Sequence, residues 1–448
     1  MTTYQPPTPQ LRKQILTTLF ISLLLDLLSF TLILPLFPQL LAHYQALEST
    51  YNAPTLLRTT FEYLNSFKAA FSRPISSRFD VVLLGGAMGS LFSLLQAFSA
   101  PIIGSISDKS GRRTALLYSM MGNILSVLIW VFAIDFPTFV ASRIVGGLSE
   151  GNVQLAIAIA TDVSSEDNRG ATLALVGVAF SIAFTLGPMI GAFMASKTLM
   201  LGNPFSTAAA FSLFLIVSET VYLYFKLPET KPPSPTPSQK SGAAKPGDSK
   251  KKNEPKSLAL LNLTHFLFLL VFSGMEFSLT FMTFELFSFS AADNGRLLGF
   301  VGLTASLLQG SFTRRAPPHI VVKTGLLASA ISFLLLARID TKGMLYVAAF
   351  FLAVTSATVV TGLTALASFC VGEEDRGRRL GGFRGSGQIG RACGPVLFCS
   401  LYWWAGREVA YGVGAASMLS VMGIAWGGLD RGAKAVKAKV TEEDKKGL

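Results

Sequence analysis

Gly104-Ser-Ile-Ser-Asp108-Lys109-Ser-Gly111-Arg112-Arg113 stands between two long apolar runs. Two helices that leave and re-enter a bilayer within so few residues need a turn that glycine permits. They also need cationic side chains that stay on the cytosolic side. The stretch supplies both, and adds one acid, Asp108, amid the positive charge. Anchoring of a loop explains Lys109 and Arg113 well; it explains Asp108 poorly.

The composition around this turn points to the same class. Hydrophobic residues make up 50% of the chain and charged residues 14%, with 35 phenylalanines. Soluble domains carry about 25% charge, so a surface facing water on all sides is excluded for a chain of this size. The net charge of +12 lies in loops between apolar segments, where membrane topology accounts for it and nucleic-acid binding does not. Cys370, Cys393 and Cys399 have no disulfide or zinc spacing and read as small packing residues.

A membrane helix needs about 20 largely apolar residues. The chain offers twelve such segments: 15–38, 81–105, 113–134, 138–161, 171–195, 204–226, 259–287, 296–313, 319–338, 343–369, 380–404 and 408–428. The short loops after the second, fourth, eighth and tenth segments hold ten Lys or Arg residues. Those after the third, fifth, seventh, ninth and eleventh hold five. That asymmetry places both termini in the cytosol and Tyr402-Trp403-Trp404 at the far interface. The chain therefore divides into an N-tail (1–14), a six-helix unit (15–226), a linker (227–257), a second six-helix unit (258–428) and a C-tail (429–448). The linker, with Lys231-Pro-Pro-Ser-Pro and Lys250-Lys251-Lys252, has no apolar periodicity and reads as a disordered basic tether. Within the long loop 39–80, Phe61, Leu64, Phe67 and Phe71 recur at helical spacing and predict a short amphipathic helix on the membrane or over the entrance.

The two units echo each other. Gly86, Gly89 and Ser93-Leu-Leu-Gln96 return at one constant offset as Gly299, Gly302 and Ser306-Leu-Leu-Gln309. Glu166-Asp-Asn-Arg169-Gly170 precedes Gly187-Pro188 by the same interval at which Glu373-Glu-Asp-Arg376-Gly377 precedes Gly394-Pro395. Two independent matches in corresponding segments argue for a duplicated six-helix unit.

The 104–113 stretch resembles the loop between helices 2 and 3 of the major facilitator superfamily of secondary transporters. Asp26, Arg143-x-x-x-Gly147, and Gly177 through Gly187-Pro188-x-x-Gly191 resemble further signatures of its twelve-helix drug:proton antiporters. Leu25-Asp26 through Pro35-Leu-Phe-Pro38, Arg143 through Glu150-Gly-Asn, and Phe272-Ser-Gly-Met-Glu276 are similar to the eukaryotic tetracycline-transporter-like proteins, a branch linked to organic-anion transport. The resemblance covers the chain apart from linker and tails. One departure is Gln309-Gly-Ser-Phe-Thr-Arg314-Arg315, which lacks the acid and glycine of the first-half motif. The resemblance implies an all-α fold of two six-helix bundles around a central cavity. It also implies a gate in which Asp108 caps helix 11 and Arg112 and Asp162 complete a charge network, with Gly104, Gly111 and Arg169 beside it.

Ionisable groups at mid-membrane depth cost about 2.5–3.5 kcal/mol each and persist when paired or when they face a watery cavity. Asp26, Arg143, Glu150, Glu276 and Arg391 all fall inside their segments. Arg143 and Glu150, seven residues or two helical turns apart, share one face about 10 Å apart by helix rise. Interhelical pairs that hold the bundle together are one reading. The other is a proton-coupled cavity in which Asp26, Glu150 and Glu276 exchange protons, because desolvation disfavours the charged form of a carboxyl. Arg143 could then serve an acid or bind an anionic solute. Gln96 and Gln309 could bond a ligand or the backbone. Pro188 predicts a local bend in the fifth helix, for gating or for packing.

The function expected is proton antiport of a small amphiphilic organic solute by rocking of one bundle against the other. The chain is expected to be monomeric, without cofactor or metal, driven by a proton gradient and embedded in a bilayer with no nucleic-acid partner. No G-x-x-x-x-G-K-[ST] motif is present, which argues against ATP-driven pumping. A proton-independent facilitator or anion exchanger, a membrane enzyme, and a non-transporting scaffold or receptor remain as alternatives; no Ser/His/Asp or metal constellation supports the enzyme.

Overall fold

The computed structural model describes residues 8–33, 36–48, 55–70, 80–194, 203–231 and 254–444. Its first helix, α1 (Pro9–Thr31), begins with Pro9 in the opening turn, where a missing N–H costs nothing. The Thr8 hydroxyl accepts the Leu11 N–H at 3.4 Å. Two short helices, α2 (Phe37–Glu48) and α3 (Leu56–Ala69), precede α4 (Asp80–Ser110), α5 (Arg112–Val131), the pair α6 (Phe136–Ser149) and α7 (Asn152–Asp162), α8 (Glu166–Met194) and α9 (Ser206–Lys226). The second half comprises α10 (Glu254–Phe287), α11 (Ala291–Leu308) with a π turn over Gln309–Thr313, α12 (Pro318–Ala337), α13 (Lys342–Phe369), α14 (Arg376–Ala405) and α15 (Arg407–Asp444). With α6 and α7 counted as one crossing, these make twelve spanning helices in two six-helix halves. Ten are long and apolar enough to cross a membrane by length and composition alone. The others are α11 and α14, and α14 carries Arg384 and Arg391 within its length.

Large apolar side chains cover the outside. Met189, Phe214 and Phe225 are 68, 63 and 76% exposed, a surface suited to lipid. Inside, Trp130, Phe139, Phe333 and Tyr411 are fully buried. The halves meet along two seams: α4 runs along α14, and α8 packs on α11 and α13. Small residues permit the approach. A Cβ on Gly104 would strike the Gly377 carbonyl, and Gly381 and Gly385 sit as closely on Ala100 and Ala97.

Several boundaries differ from the sequence reading. The fourth crossing is broken at Glu150-Gly151, so it is two helices rather than one. The α1 helix begins at Pro9 inside the expected N-tail, and the α15 backbone stays helical to Asp444, through most of the expected C-tail. Residues 227–231 of the expected linker are held against the bundle, and α10 starts at Glu254; residues 232–253 lie outside the described residues. The 39–80 loop holds two helices. Phe61, Leu64 and Phe67 of α3 pack on the core, and Phe67 meets Trp403 edge-on with centroids 6.3 Å apart; Phe71 lies outside the described residues. Trp404 is exposed at that end, as an interfacial ring would be, but Tyr402 and Trp403 turn inward, and the Tyr402 hydroxyl donates to Glu285.

Candidate functional site

The break in the fourth crossing builds the site. Glu150 leaves the helical region at ψ 89°, while its N–H still donates to the Gly146 carbonyl at 2.9 Å. A helix interrupted inside a bilayer needs other partners for the freed backbone groups. Ser119 of α5 provides them: its hydroxyl accepts the Gly151 N–H at 2.9 Å and lies against the Ser149 carbonyl. Ser119 also approaches the Asn152 Oδ1 at 2.9 Å, which orients that amide so that its Nδ2 donates to the Asp26 Oδ1 at 2.9 Å. The Asn123 Nδ2 donates to the Glu150 Oε2 at 3.3 Å. Glu150 caps the C-terminus of α6, the helix that carries Arg143, so the break falls after both residues and both side chains face the same cavity.

Asp26, Arg143 and Glu150 line one small cavity of about 40 Å³ together with Phe92, Asn123 and Trp130. Glu219 of α9 belongs to the same group, since Asp26 and Glu150 are near enough to repel it. It is 1% exposed; Ser22 donates to its Oε1 at 2.6 Å, and among the described residues its Oε2 has no hydrogen-bond partner. Among the described residues, no cation lies within ion-pair distance of Glu219 or Asp26. The positive charge comes from two sides. Arg143 donates through Nε and Nη2 to the Ser142 hydroxyl at 3.2 and 3.1 Å, with its guanidinium 5.4 Å from the Phe139 ring and 5.8 Å from Trp130. Among the described residues, no carboxylate pairs with it. Half-buried Arg384, from α14 of the other half, attracts Glu150 and Asp26.

Glu219 and Arg384 escaped the sequence reading, although both lie inside predicted segments, the same signal that singled out Asp26. Glu276 and Arg391 are brought together elsewhere. They form a half-exposed pair at 3.5 Å between α10 and α14, and neither lines the Asp26 cavity. Gln96 is buried on α4 and is not among the residues lining that cavity. Gln309 accepts from the Ser181 hydroxyl at 2.6 Å across the α8–α11 seam.

The 104–113 stretch lies at one end of the α4–α14 seam. Asp108 accepts the Gly377 N–H at 2.9 Å and the Arg378 N–H at 2.8 Å, at the first turn of α14, where the helix dipole is positive. Fully buried Arg112 joins Asp108 at 2.6 Å to Asp162 at 2.8 Å, and Arg376 of the other half completes the network on Asp162. Gly111, the single residue between α4 and α5, has φ +98°, a conformation that glycine alone adopts without strain. A Cβ there would also strike Glu229, whose carboxylate accepts the Arg112 N–H at 2.7 Å and the Arg113 N–H at 3.2 Å. Lys231 reaches the Asp108 carbonyl. On the second seam, Arg169 donates to the Ser368 carbonyl at 3.3 Å and covers the Phe369 ring at 5.0 Å. Gly177 faces Gln309 and Thr361 of the other half, whereas Gly187 and Gly191 press on Thr31 and Leu32 of α1. The α8 helix continues through Pro188, and Gly187 and Gly191 beside it serve contact with the end of α1.

Two helical halves, a broken helix beside buried charges, and an aspartate capping a helix across the seam define a membrane transporter of the major facilitator type. The model of the Major Facilitator Superfamily matches residues 19–323, and the chain belongs to that family of transporters. It is 34% identical to the mouse Major facilitator superfamily domain-containing protein 10, over 94% of each chain. It is 36% identical to the bovine protein of that name, over 92% of this chain and 94% of the other. The Escherichia coli tetracycline resistance protein, class E, is 26% identical over 71% of this chain and 78% of its own. The crystal structure of the human organic anion transporter MFSD10 (TETRAN) superposes with a TM-score of 0.83 at 32% identity, covering 94% of this chain and all of that one. The proton:xylose symporter XylE, at 15% identity and a TM-score of 0.68, shares the fold.

Proposed function

We propose that this chain carries small amphiphilic organic anions across a bilayer by alternating access, coupled to proton movement, with both termini and the Asp108 end in the cytosol. The observation that carries the reading is Arg143, a buried cation on two aromatic faces, without a carboxylate partner among the described residues, in one cavity with Asp26 and Glu150. A planar guanidinium suits a carboxylate-type anion, and the Phe92 and Trp130 walls suit an apolar body. The kinship with a human organic anion transporter supports the same solute class.

Coupling follows from electrostatics. A buried carboxylate without a counter-ion is costly, and protonation removes the cost. An anion held by Arg143 in the cavity that Asp26 and Glu150 line adds negative charge beside both acids and favours proton uptake there. Linkage makes this reciprocal, so anion and proton reinforce each other and travel together. The antiport expected from the sequence belongs to a cationic or neutral solute. That second reading rests on the excess of carboxyls, Asp26, Glu150 and Glu219, over the two arginines facing them.

Proteoliposomes with an imposed pH gradient and labelled organic anions and cations test both. Arg143→Ala is expected to lower anion uptake by about 10- to 150-fold, the worth of a hydrogen-bonded charge contact. Asp26→Asn is expected to abolish the response to the gradient while the protein still inserts. Full gradient-driven flux in both variants would overturn the assignment.

A further inference from the structure

A second cavity, of about 690 Å³, opens at the Asp108 end of the molecule between α1, α8 and the π turn after α11. It takes walls from both halves, and it lies apart from the Asp26 cavity. Three cations stand at its mouth: Arg12 and Lys13 at the start of α1, and Arg314 just past the π turn. Among the described residues no acid lines it, and no carboxylate lies within ion-pair distance of these three. Lys13 and Arg314 are exposed. Arg12 is half-buried; its Nη2 donates to the Thr172 hydroxyl at 3.3 Å, and among the described residues its buried Nε has no partner. A buried guanidinium N–H left without an acceptor marks a place where an acceptor is missing.

The remaining wall is apolar and directional. Arg12, Leu16 and Phe20 follow at four-residue spacing on one face of α1, so the lining changes from basic to apolar as the helix enters the membrane. Val178 of α8 continues the apolar side, and Gly310 in the π turn leaves the floor open, with nothing within 4 Å of a Cβ placed there. A π turn widens a helix locally and is found disproportionately at functional positions.

We propose that this cavity is a site for one anionic phospholipid of the cytosolic leaflet, its phosphate held by Arg12, Lys13 and Arg314 and an acyl chain laid along Leu16, Phe20 and Val178. A free phosphate would use the cations and leave the apolar wall bare. A zwitterionic lipid would bring its own positive charge to a mouth that has no acid. The leaflet rests on the orientation proposed above; the binding itself does not depend on transport. Since the site takes residues from both halves, its occupancy favours the arrangement in which they are closed at this end.

Native mass spectrometry of the purified protein, with phosphatidylglycerol and phosphatidylcholine of matched chains, reads the site directly. Preferential retention of phosphatidylglycerol is expected, unaffected by millimolar inorganic phosphate. With each cation near a membrane surface contributing about fivefold, Lys13→Gln with Arg314→Gln is expected to lower that preference roughly thirtyfold. Both side chains are exposed, so folding does not depend on them. Gly310→Phe fills the cavity without changing charge and is expected to remove retention as well. Arg296→Gln with Arg338→Gln, outside the cavity, should leave it intact. An unchanged preference in the first two variants overturns the site, and so does displacement of the lipid by inorganic phosphate. Failed transport with intact lipid selectivity would count against the transport reading alone.

Discussion

Replacing Asp108 with asparagine should open the end of the molecule that it closes. The carboxylate accepts two backbone N–H groups of α14, from Gly377 at 2.9 Å and Arg378 at 2.8 Å, and it also meets Arg112. Only the α14 bonds cross between the halves at this residue, so they are what separation breaks. An asparagine retains one oxygen and at most one of these acceptances, losing a charged hydrogen bond of about 1.5–3 kcal/mol. It also loses the favourable position of a negative charge at a helix N-terminus, about 0.3–1 kcal/mol. The Arg376–Asp162 bridge survives and limits the damage. A net shift of about 2–3 kcal/mol changes the closed-to-open ratio roughly 30- to 150-fold. Spin labels on cysteines at Lys109 and Glu374, one on each half and both exposed, report the separation once Cys370, Cys393 and Cys399 are replaced. The variant should show the longer distance as its main population, with turnover reduced far more than solute affinity. An unchanged distance distribution would refute the reasoning and leave Asp108 a loop anchor.

Glu219→Gln keeps an acceptor for Ser22 and removes the titratable group; gradient-driven uptake should fall about tenfold or more, while solute exchange without a gradient persists. Full gradient-driven uptake would make Glu219 a packing residue. Exchanging residues 232–253 for a neutral Gly/Ser chain should leave folding and transport intact. Glu229→Ala should instead destabilise the start of α5 by about 1–2 kcal/mol and lower the thermal midpoint, because it removes the acceptor of the Arg112 and Arg113 N–H groups.

Much of this architecture is legible in the sequence because lipid imposes one simple requirement on a spanning helix. Apolar runs of the right length mark most crossings, and the 86–96 and 299–309 repeat recovers α11, which is weaker by composition. The Asp108 turn is legible for a different reason: an acid among loop cations has no topological use. The break at Glu150 is not legible, because the partner that permits it is Ser119, on another helix, and no local pattern announces a hydroxyl facing a gap. Glu276 looked equivalent to Asp26 by depth. Yet Asp26 is 4% exposed and accepts from the Asn152 amide, whereas Glu276 is half-exposed and has Arg391. Depth is a property of one helix; the counter-charge is a property of the assembled pair.

The two ends of the halves are closed by different chemistry, and that difference is itself suited to a two-state machine. The Asp108 end is held by four charged side chains, Asp108, Arg112, Asp162 and Arg376, whose hydrogen bonds can be exchanged for water when the halves part. The net gain from such bonds is small compared with their strength in isolation, so water can stand in for them. The opposite end is closed by Phe67 against Trp403 and by Phe277 over Gly86, where parting exposes apolar surface that lipid or an amphiphilic solute can cover. A polar lock and an apolar lock respond to different conditions: the first weakens with hydration and salt, the second with apolar ligands. Under the function proposed above, an amphiphilic anion would bring both kinds of perturbation in one molecule, its charge toward Arg143 and its apolar body toward the walls of Phe92 and Trp130.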